Sequence, residues 1–190
     1  MSIIPKNKPQ KGLDYLSKVI KANQKKIGTD KIVLIGMRGY FLDTMGVKGK
    51  NDRRIYDDAA FWVDLSTGLV LQYNYNTDAN GYRKGKGTGS GKGMANLKAG
   101  AWRYKTGKHK GYEAFVQAEA VTVVRDGSPD YEDTGWFGIN IHKGGASGTS
   151  SLGCQTLPVA QWDDFKKNGY ALLKKHAQKT FVYVLLDQQG

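Results

Sequence analysis

The sequence predicts a mainly β (α+β) domain with a helical piece at its N-terminus and a second helix late in the chain. Three observations carry that prediction. Apolar residues recur at helical spacing before residue 30, short β-like runs separated by Gly and Asp begin at Lys31, and helical spacing returns after Pro158. Residues 1–30 therefore read as a helical segment and 31–190 as one further domain, since a length of 190 residues leaves little room for two independent cores.

Between Gly12 and Gly28, Leu13, Leu16, Val19, Ile20 and Ile27 share one face, and Lys18, Lys21, Lys25 and Lys26 occupy others. This is an amphipathic helix. Packed on the domain it keeps its lysines in water; a basic helix lying on a membrane surface has the same pattern. Ile32-Val33-Leu34-Ile35 is the first β-like run. Phe61 to Leu65, the turn Ser66-Thr67-Gly68, and Leu69 to Tyr73 form a hairpin candidate. Further runs are Ala114 to Gln117, Ala120 to Arg125, Trp136 to His142 and Phe181 to Leu186. Val159, Trp162, Phe165, Leu172 and Leu173 predict helix after Pro158, with a break near Gly169.

The charge balance, 29 Lys and Arg against 17 Asp and Glu, gives a net charge of +12. Such a surplus draws a protein toward polyanions, which include nucleic acid, anionic membranes and an acidic bacterial envelope. Only Glu113, Glu119 and Glu132 supply glutamate, and none announces the paired carboxylates of a glycosidase. No apolar run reaches the length of a membrane span, and the start, MSIIPKNKPQKG, lacks the apolar stretch of a signal peptide. The expectation is a protein made in the cytoplasm without an export signal. The single cysteine, Cys154, leaves no internal disulfide and no multi-cysteine zinc site.

Arg83 to Gly93, RKGKGTGSGKG, is the one low-complexity stretch. It fails as a phosphate-binding loop, because Lys86 stands where a glycine is needed and Gly93 where a Ser or Thr is needed. It reads instead as a mobile basic loop that contacts an anionic substrate or polymer.

Gly135 to Trp162, GWFGINIHKGGASGTSSLGCQTLPVAQW, carries the chemistry. An apolar strand delivers His142, a Gly/Ser-rich loop follows, and Cys154 stands in Ser151-Leu152-Gly153-Cys154. A thiol becomes a nucleophile beside a base, and histidine is the usual one. The loop is long enough to fold back and bring imidazole and sulfur together, and Gly153 permits a tight turn whose N–H groups face one point, as an oxyanion site requires.

These residues resemble the catalytic signature of the L,D-transpeptidase domain family, cysteine enzymes acting on the stem peptides of bacterial peptidoglycan. Cys154-Gln155-Thr156-Leu157-Pro158 followed by Gln161-Trp162 is closer to phage-encoded and effector-like members. The resemblance implies a β-sandwich or barrel catalytic domain over residues 31–190. It implies Cys154 as the nucleophile that forms a thioester, and His142 as the base. It further implies orientation of that histidine by a backbone carbonyl of Lys143 or Gly144, oxyanion donors at the backbone N–H groups of Leu152, Gly153 and Cys154, and Ser151 as support for the loop. Leu152 replaces a second histidine found in many members, and Gln155-Thr156 departs from the usual pair, so substrate orientation near the cysteine differs. The implied partners are peptidoglycan peptides in an anionic envelope, met by a monomer after phage lysis or injection, with no nucleic acid and no cofactor.

His109, in a basic stretch before a strand, is either a surface residue or part of the substrate cleft, with Gln155, Lys143 and Gly144 as the other substrate-binding candidates. His176 lies near a helix end, where a cation is favourable. Three separated histidines without an HExxH pattern argue against a zinc peptidase or amidase, and no metal site is expected. Trp102, Trp136 and Trp162 read as core or cleft wall, and Tyr73 and Tyr75 as possible ligand contacts. The rival reading is a non-enzymatic basic module that binds nucleic acid or envelope, with Cys154 buried and no turnover.

Overall fold

A computed structural model describes residues 2–87 and 89–187. Thr88 of the basic loop, Met1 and the last three residues lie outside the described residues. The chain opens with helices α1 (Leu13–Ala22) and α2 (Gln24–Ile27). Strands β1 (Ile32–Arg38), β2 (Asp58–Asp64), β3 (Leu69–Tyr75), β4 (Ala95–Leu97), β5 (Gly100–His109) and β6 (Tyr112–Gln117) follow. Then come β7 (Val121–Arg125), β8 (Tyr131–Gly135), β9 (Ile141–Lys143), β10 (Gln155–Leu157), helix α3 (Val159–Lys175) and β11 (Thr180–Asp187).

The fold is mainly β. Eight strands form one sheet in the order β10-β9-β6-β5-β11-β1-β2-β3, and β4-β7-β8 form a second, smaller sheet. The large sheet curls until its edges meet. Just beyond β3, Asn76 pairs with Thr156 of β10 through two backbone hydrogen bonds of 2.9 Å, so the sheet nearly closes into a barrel. This seam lies two residues from Cys154.

The central strands are buried on both faces, which is why they read as continuous apolar runs. Ile32 and Leu34 of β1, Ala60 and Trp62 of β2, and Phe181, Tyr183 and Leu185 of β11 face a core shared with α3. Their neighbours Val33, Ile35, Met37, Phe61, Val63, Val182 and Val184 face a second core that Leu16, Ile20 and Ile27 cover. The alternation is the two-residue period of a strand. The N-terminal helix thus lays its apolar face on the sheet. It divides at Asn23, whose side-chain amide donates to the Val19 carbonyl at 2.9 Å, rather than running unbroken to Gly28. Among the described residues no helix is long and apolar enough to cross a membrane.

Four sequence expectations are corrected here. Helix α3 runs through Gly169 without a break, because a side chain there would lie 2.6 Å from the Trp62 ring and 2.7 Å from Phe115; the glycine serves close packing. The Trp136–His142 run is strand only from Ile141, since Gly138 takes a φ of +68° that interrupts the extended backbone. Trp136 is exposed rather than core or cleft wall. Tyr73 and Tyr75 are fully buried, with the Tyr73 hydroxyl donating to Asp164 at 2.8 Å, so neither faces a ligand. His176 caps the end of α3 and meets the buried Asp64 carboxylate at 3.1 Å beside Lys175 at 3.0 Å, a tie between helix and sheet. Burial of Asp64 opposes its charge, but hydrogen bonds from Ser66, His176 and Lys175 prevail and hold it below the usual carboxylate range.

Strands β4, β5, β8 and β10 escape the sequence patterns. β5 is ten residues long, but its exposed positions Lys105, Thr106 and Lys108 fall on both faces, which masks its alternation.

Candidate active site

The neighbouring strands β9 and β10 run parallel, with Thr156 beside His142 and Gln155 beside Ile141. The Gln155 N–H donates to the Asn140 carbonyl at 2.8 Å, which fixes Cys154 at the end of β10 next to the histidine strand. The eleven residues between the strands, 144–154, are tied down at several points. The Tyr56 hydroxyl reaches the Gly145 carbonyl at 3.2 Å, Thr149 Oγ1 donates to Asn80 Oδ1 at 3.2 Å, and the Asn80 N–H donates to the Ser151 carbonyl at 2.7 Å.

At the turn itself Ser151 Oγ accepts the Gly153 N–H at 3.0 Å and donates to the Cys154 carbonyl at 2.6 Å. Gly153 has φ of +134°, and a Cβ would fall 2.7 Å from the Ala95 carbonyl oxygen, so only glycine fits. The Gly153 N–H is therefore occupied, which removes it from the expected oxyanion donors. Among the described residues no acceptor takes the Leu152 or Cys154 N–H.

The second wall comes from the β5–β6 hairpin. Its two-residue turn, Lys110-Gly111, has φ of 48° and 90°, the paired positive values of a tight hairpin, and it sets His109 opposite Tyr112. His109 stacks on His142 with ring centres 4.0 Å apart and planes 8° from parallel. Phe115 of β6 pairs with Ile141 of β9, so the hairpin runs alongside the histidine strand. A ring nitrogen of each histidine and Cys154 Sγ all lie within 4.8 Å of one another.

Hydrogen bonds set the protonation pattern. His142 Nδ1 lies 2.7 Å from the Lys143 carbonyl and 3.3 Å from the Tyr112 hydroxyl. A carbonyl only accepts, so Nδ1 carries the proton and Nε2 keeps its lone pair. The Asn140 side-chain amide reaches His109 Nδ1 at 3.2 Å, making that atom an acceptor. The thiol donates to the Gly138 carbonyl at 3.3 Å and faces the Asn140 N–H.

Burial dominates the electrostatics. It pushes His142 down to about 4, against the Lys143 carbonyl that favours its cation, while His109 and Lys110 add to the fall. Burial also lowers His109, with Lys110 contributing, and it raises the Cys154 thiol against the Asn140 N–H and Lys110. Both shifts run against the charged forms, so burial favours a neutral pair over a thiolate and imidazolium at rest.

No family model, no curated protein and no solved structure matches the chain. The chemistry therefore rests on this chain's own geometry.

The structure brings together His142, Cys154, Ser151, Leu152, Gly153, Lys143 and His109. It takes Gln155 out of contact with a ligand: that side chain is fully buried, accepts from the Tyr183 hydroxyl at 3.0 Å and donates to the Thr77 and Gly153 carbonyls. Gly144 is likewise structural, its N–H donating to the Leu157 carbonyl at 2.9 Å. The histidines are not all separated, as sequence distance suggested. His109, His142 and Cys154 bring two imidazole nitrogens and a thiol sulfur within 4.8 Å of one another, the donor types of a zinc site, which the separation of the histidines in sequence did not foretell. Asn140 and Tyr112 are functional candidates that the sequence reading missed. Asn140 was visible as the one polar residue before His142 in an apolar run, and Tyr112 as the residue after a Lys-Gly turn beside His109.

Proposed function

We propose that the protein is a cysteine acyl-transfer enzyme of the L,D-transpeptidase type that cuts or exchanges peptide bonds in peptidoglycan stem peptides. The observation that carries the reading is the Cys154–His142 pair, with the histidine tautomer set by the Lys143 carbonyl so that an unprotonated ring nitrogen is left for the thiol.

In this reading the substrate carbonyl displaces the thiol from Gly138, and His142 Nε2 takes the thiol proton as sulfur attacks the carbonyl carbon. The oxyanion faces the free N–H groups of Leu152 and Cys154. Collapse breaks the C–N bond, and His142 returns its proton to the leaving amine. Water or an amine, deprotonated by His142, then opens the thioester and restores the thiol. His109 stacks behind the imidazole and Ser151 holds the turn. The low proton affinity of His142 makes it a strong proton donor to the leaving amine, at the cost of an uphill first transfer.

The setting is the bacterial cell wall, reached after synthesis in the cytoplasm, in a lysis or antibacterial role that the surplus positive charge suits. Purified murein or muropeptides incubated with the protein, followed by mass analysis, test the activity and name the bond broken. Cys154→Ala is expected to abolish turnover, and His142→Ala to lower it by about 10²–10⁴-fold. Full turnover by Cys154→Ala overturns the mechanism.

A further inference from the structure

Three side chains with metal-ligating atoms reach the seam from three different elements: His109 from the end of β5, His142 from β9, and Cys154 from the loop just before β10. A ring nitrogen of each histidine and Cys154 Sγ lie within 4.8 Å of one another, and among the described residues no other three histidine, cysteine or acidic side chains gather so closely. Zinc binds imidazole nitrogen at about 2.0–2.1 Å and thiolate sulfur at about 2.3 Å in a tetrahedron. Those bonds set ligand atoms about 3.3–3.6 Å apart, so even a gap of 4.8 Å closes with a movement of about 1–1.5 Å. Side-chain rotation supplies that much.

The three ligands differ in readiness. His142 is already arranged as one: its buried ring donates from Nδ1 to the Lys143 carbonyl at 2.7 Å, which leaves the lone pair on Nε2. Histidines that bind metal almost always have such a bond from the far nitrogen, because it fixes the tautomer and the aim of the ring. Cys154 Sγ donates to the Gly138 carbonyl at 3.3 Å, a contact that an ion replaces, and the turn that carries it is clamped by Ser151. His109 is the ligand that moves. Its plane lies 8° from parallel with that of His142 at 4.0 Å, so it must turn to aim at a shared ion. It is half-buried beside the Lys110-Gly111 turn, and among the described residues the only hydrogen bond to its ring is with the Asn140 side chain at 3.2 Å.

Lys110 is the charge that opposes a cation here, since its field reaches both histidines and the thiol. The proton balance offsets part of it. Zinc takes the thiolate, so one Zn²⁺ enters, the thiol proton leaves to solvent, and the site gains one positive charge rather than two.

We infer that His109, His142 and Cys154 form a zinc site with three protein ligands and a fourth position open to water. The site stands on its own geometry, but it also gives the acyl-transfer reading above a regulation that rests on that reading. An ion on Cys154 Sγ and His142 Nε2 occupies the nucleophile and the base together, so the zinc-bound protein is the off state and a chelator restores it. No metal-ligand spacing shows in the sequence, because the ligands converge only through the pairing of β5, β6 and β9 and of β9 with β10.

The test uses the full chain, stripped with a chelator that is then removed, with Zn²⁺ alone competed against a chromogenic chelator and Co²⁺ as the spectroscopic probe. One zinc per chain is expected, with a dissociation constant of about 1 μM or tighter. The cobalt form should show a sulfur-to-cobalt charge-transfer band and the visible absorption of tetrahedral cobalt. Cys154→Ala, His142→Ala and His109→Ala are each expected to weaken zinc binding by more than about tenfold, and Cys154→Ala also to lose the charge-transfer band. His109→Gln, which keeps a polar side chain at the hairpin, should weaken it as His109→Ala does. His176→Ala removes the histidine outside the cluster and should leave the affinity unchanged. Zinc bound no more tightly by the intact protein than by Cys154→Ala, or an affinity unchanged in both His109 variants, overturns the site.

Murein turnover separates this inference from the acyl-transfer reading. Turnover that one equivalent of zinc stops and a chelator restores supports both. Tight zinc binding by a protein without turnover keeps the site and rejects the enzyme, and turnover that requires zinc keeps the site and replaces the cysteine nucleophile. Turnover that saturating zinc leaves untouched overturns the site and keeps the enzyme.

Discussion

β1 and β11 pair over six residues and bury both faces, whereas β9 and β10 pair over three and take their position from polar side chains around them. In the first region the contacts are many and interchangeable: Phe165 of α3 touches the rings of Trp62, Tyr73 and Phe115 at 5.3, 5.0 and 5.7 Å, and no single contact decides the fold. In the second the contacts are few and directional: Ser151 Oγ to Gly153 and Cys154, Gln155 to Tyr183, Thr77 and Gly153, Asn80 to Ser151. The difference predicts that damage to the core appears as lost stability with the chemistry intact, and damage to the seam as lost chemistry in a protein that still folds.

The largest stability effect is expected at Phe165→Ala, which empties a fully buried aromatic site and should cost about 3–5 kcal/mol. Chemical denaturation measures it. Activity per folded molecule should change by less than about threefold; a large fall in kcat at full folding would erase the distinction between the two regions.

How much of each region was legible follows from the same contrast. Burial on both faces of β1, β2 and β11 writes itself as apolar runs, and the face of α1 shows in the spacing of Leu16, Ile20 and Ile27. Cys154 and His142 were legible because reactive residue types are few in this chain. Gln155 was misread because a polar residue beside a nucleophile looks like a substrate contact, and only the tertiary fold supplies the Tyr183 hydroxyl that buries it. Asn140 and Tyr112 draw their roles from strand register, which a three-residue strand does not announce. The hydrogen bonds of the basic loop, Lys86 to Gly91 and Tyr131 with Gly87 and Gly93, were not legible because they run through backbone groups and a distant tyrosine.

A second pair of sites sharpens the comparison by pH. His142, at about 4 when folded, prefers its neutral form. The unfolded chain, near 6.5, binds more protons between these values, so this contribution is present above about 6.5 and is lost as pH falls toward 4. Asp57 works in the opposite sense. Burial first, with repulsion from Asp78 and Asp52, raises it to about 7 against hydrogen bonds to backbone N–H groups. Its stability is present below the ordinary carboxylate range and is lost as pH rises toward 7. The two slopes oppose each other between about pH 4 and 6.5. Measured against the intact protein by equilibrium unfolding across that window, Asp57→Asn should gain stability as pH rises, and His142→Gln should lose up to about 3 kcal/mol of it. Parallel pH curves for the two variants would refute the assignment of buried neutral forms.

The smallest stability change and the sharpest test of the seam come from Ser151→Ala. Its hydroxyl both accepts the Gly153 N–H and donates to the Cys154 carbonyl. Two hydrogen bonds at a net of about 1 kcal/mol each set the scale of the lost stability at about 1–2 kcal/mol. The consequence for chemistry should be larger than that figure suggests. The released Gly153 N–H gains freedom to turn toward the oxyanion, yet the loop loses the clamp that aims the Leu152 and Cys154 N–H groups, and a donor misplaced by an ångström forfeits most of its value. We expect kcat to fall about 10–100-fold with KM little changed, since the clamp acts on the reacting geometry and not on peptide binding, and Ser151→Thr to recover part of the loss. Unchanged kcat in Ser151→Ala would mean that the turn holds its shape through Gly153 and Asn80 alone, and the contrast between a redundant core and a singly braced seam would fall with it.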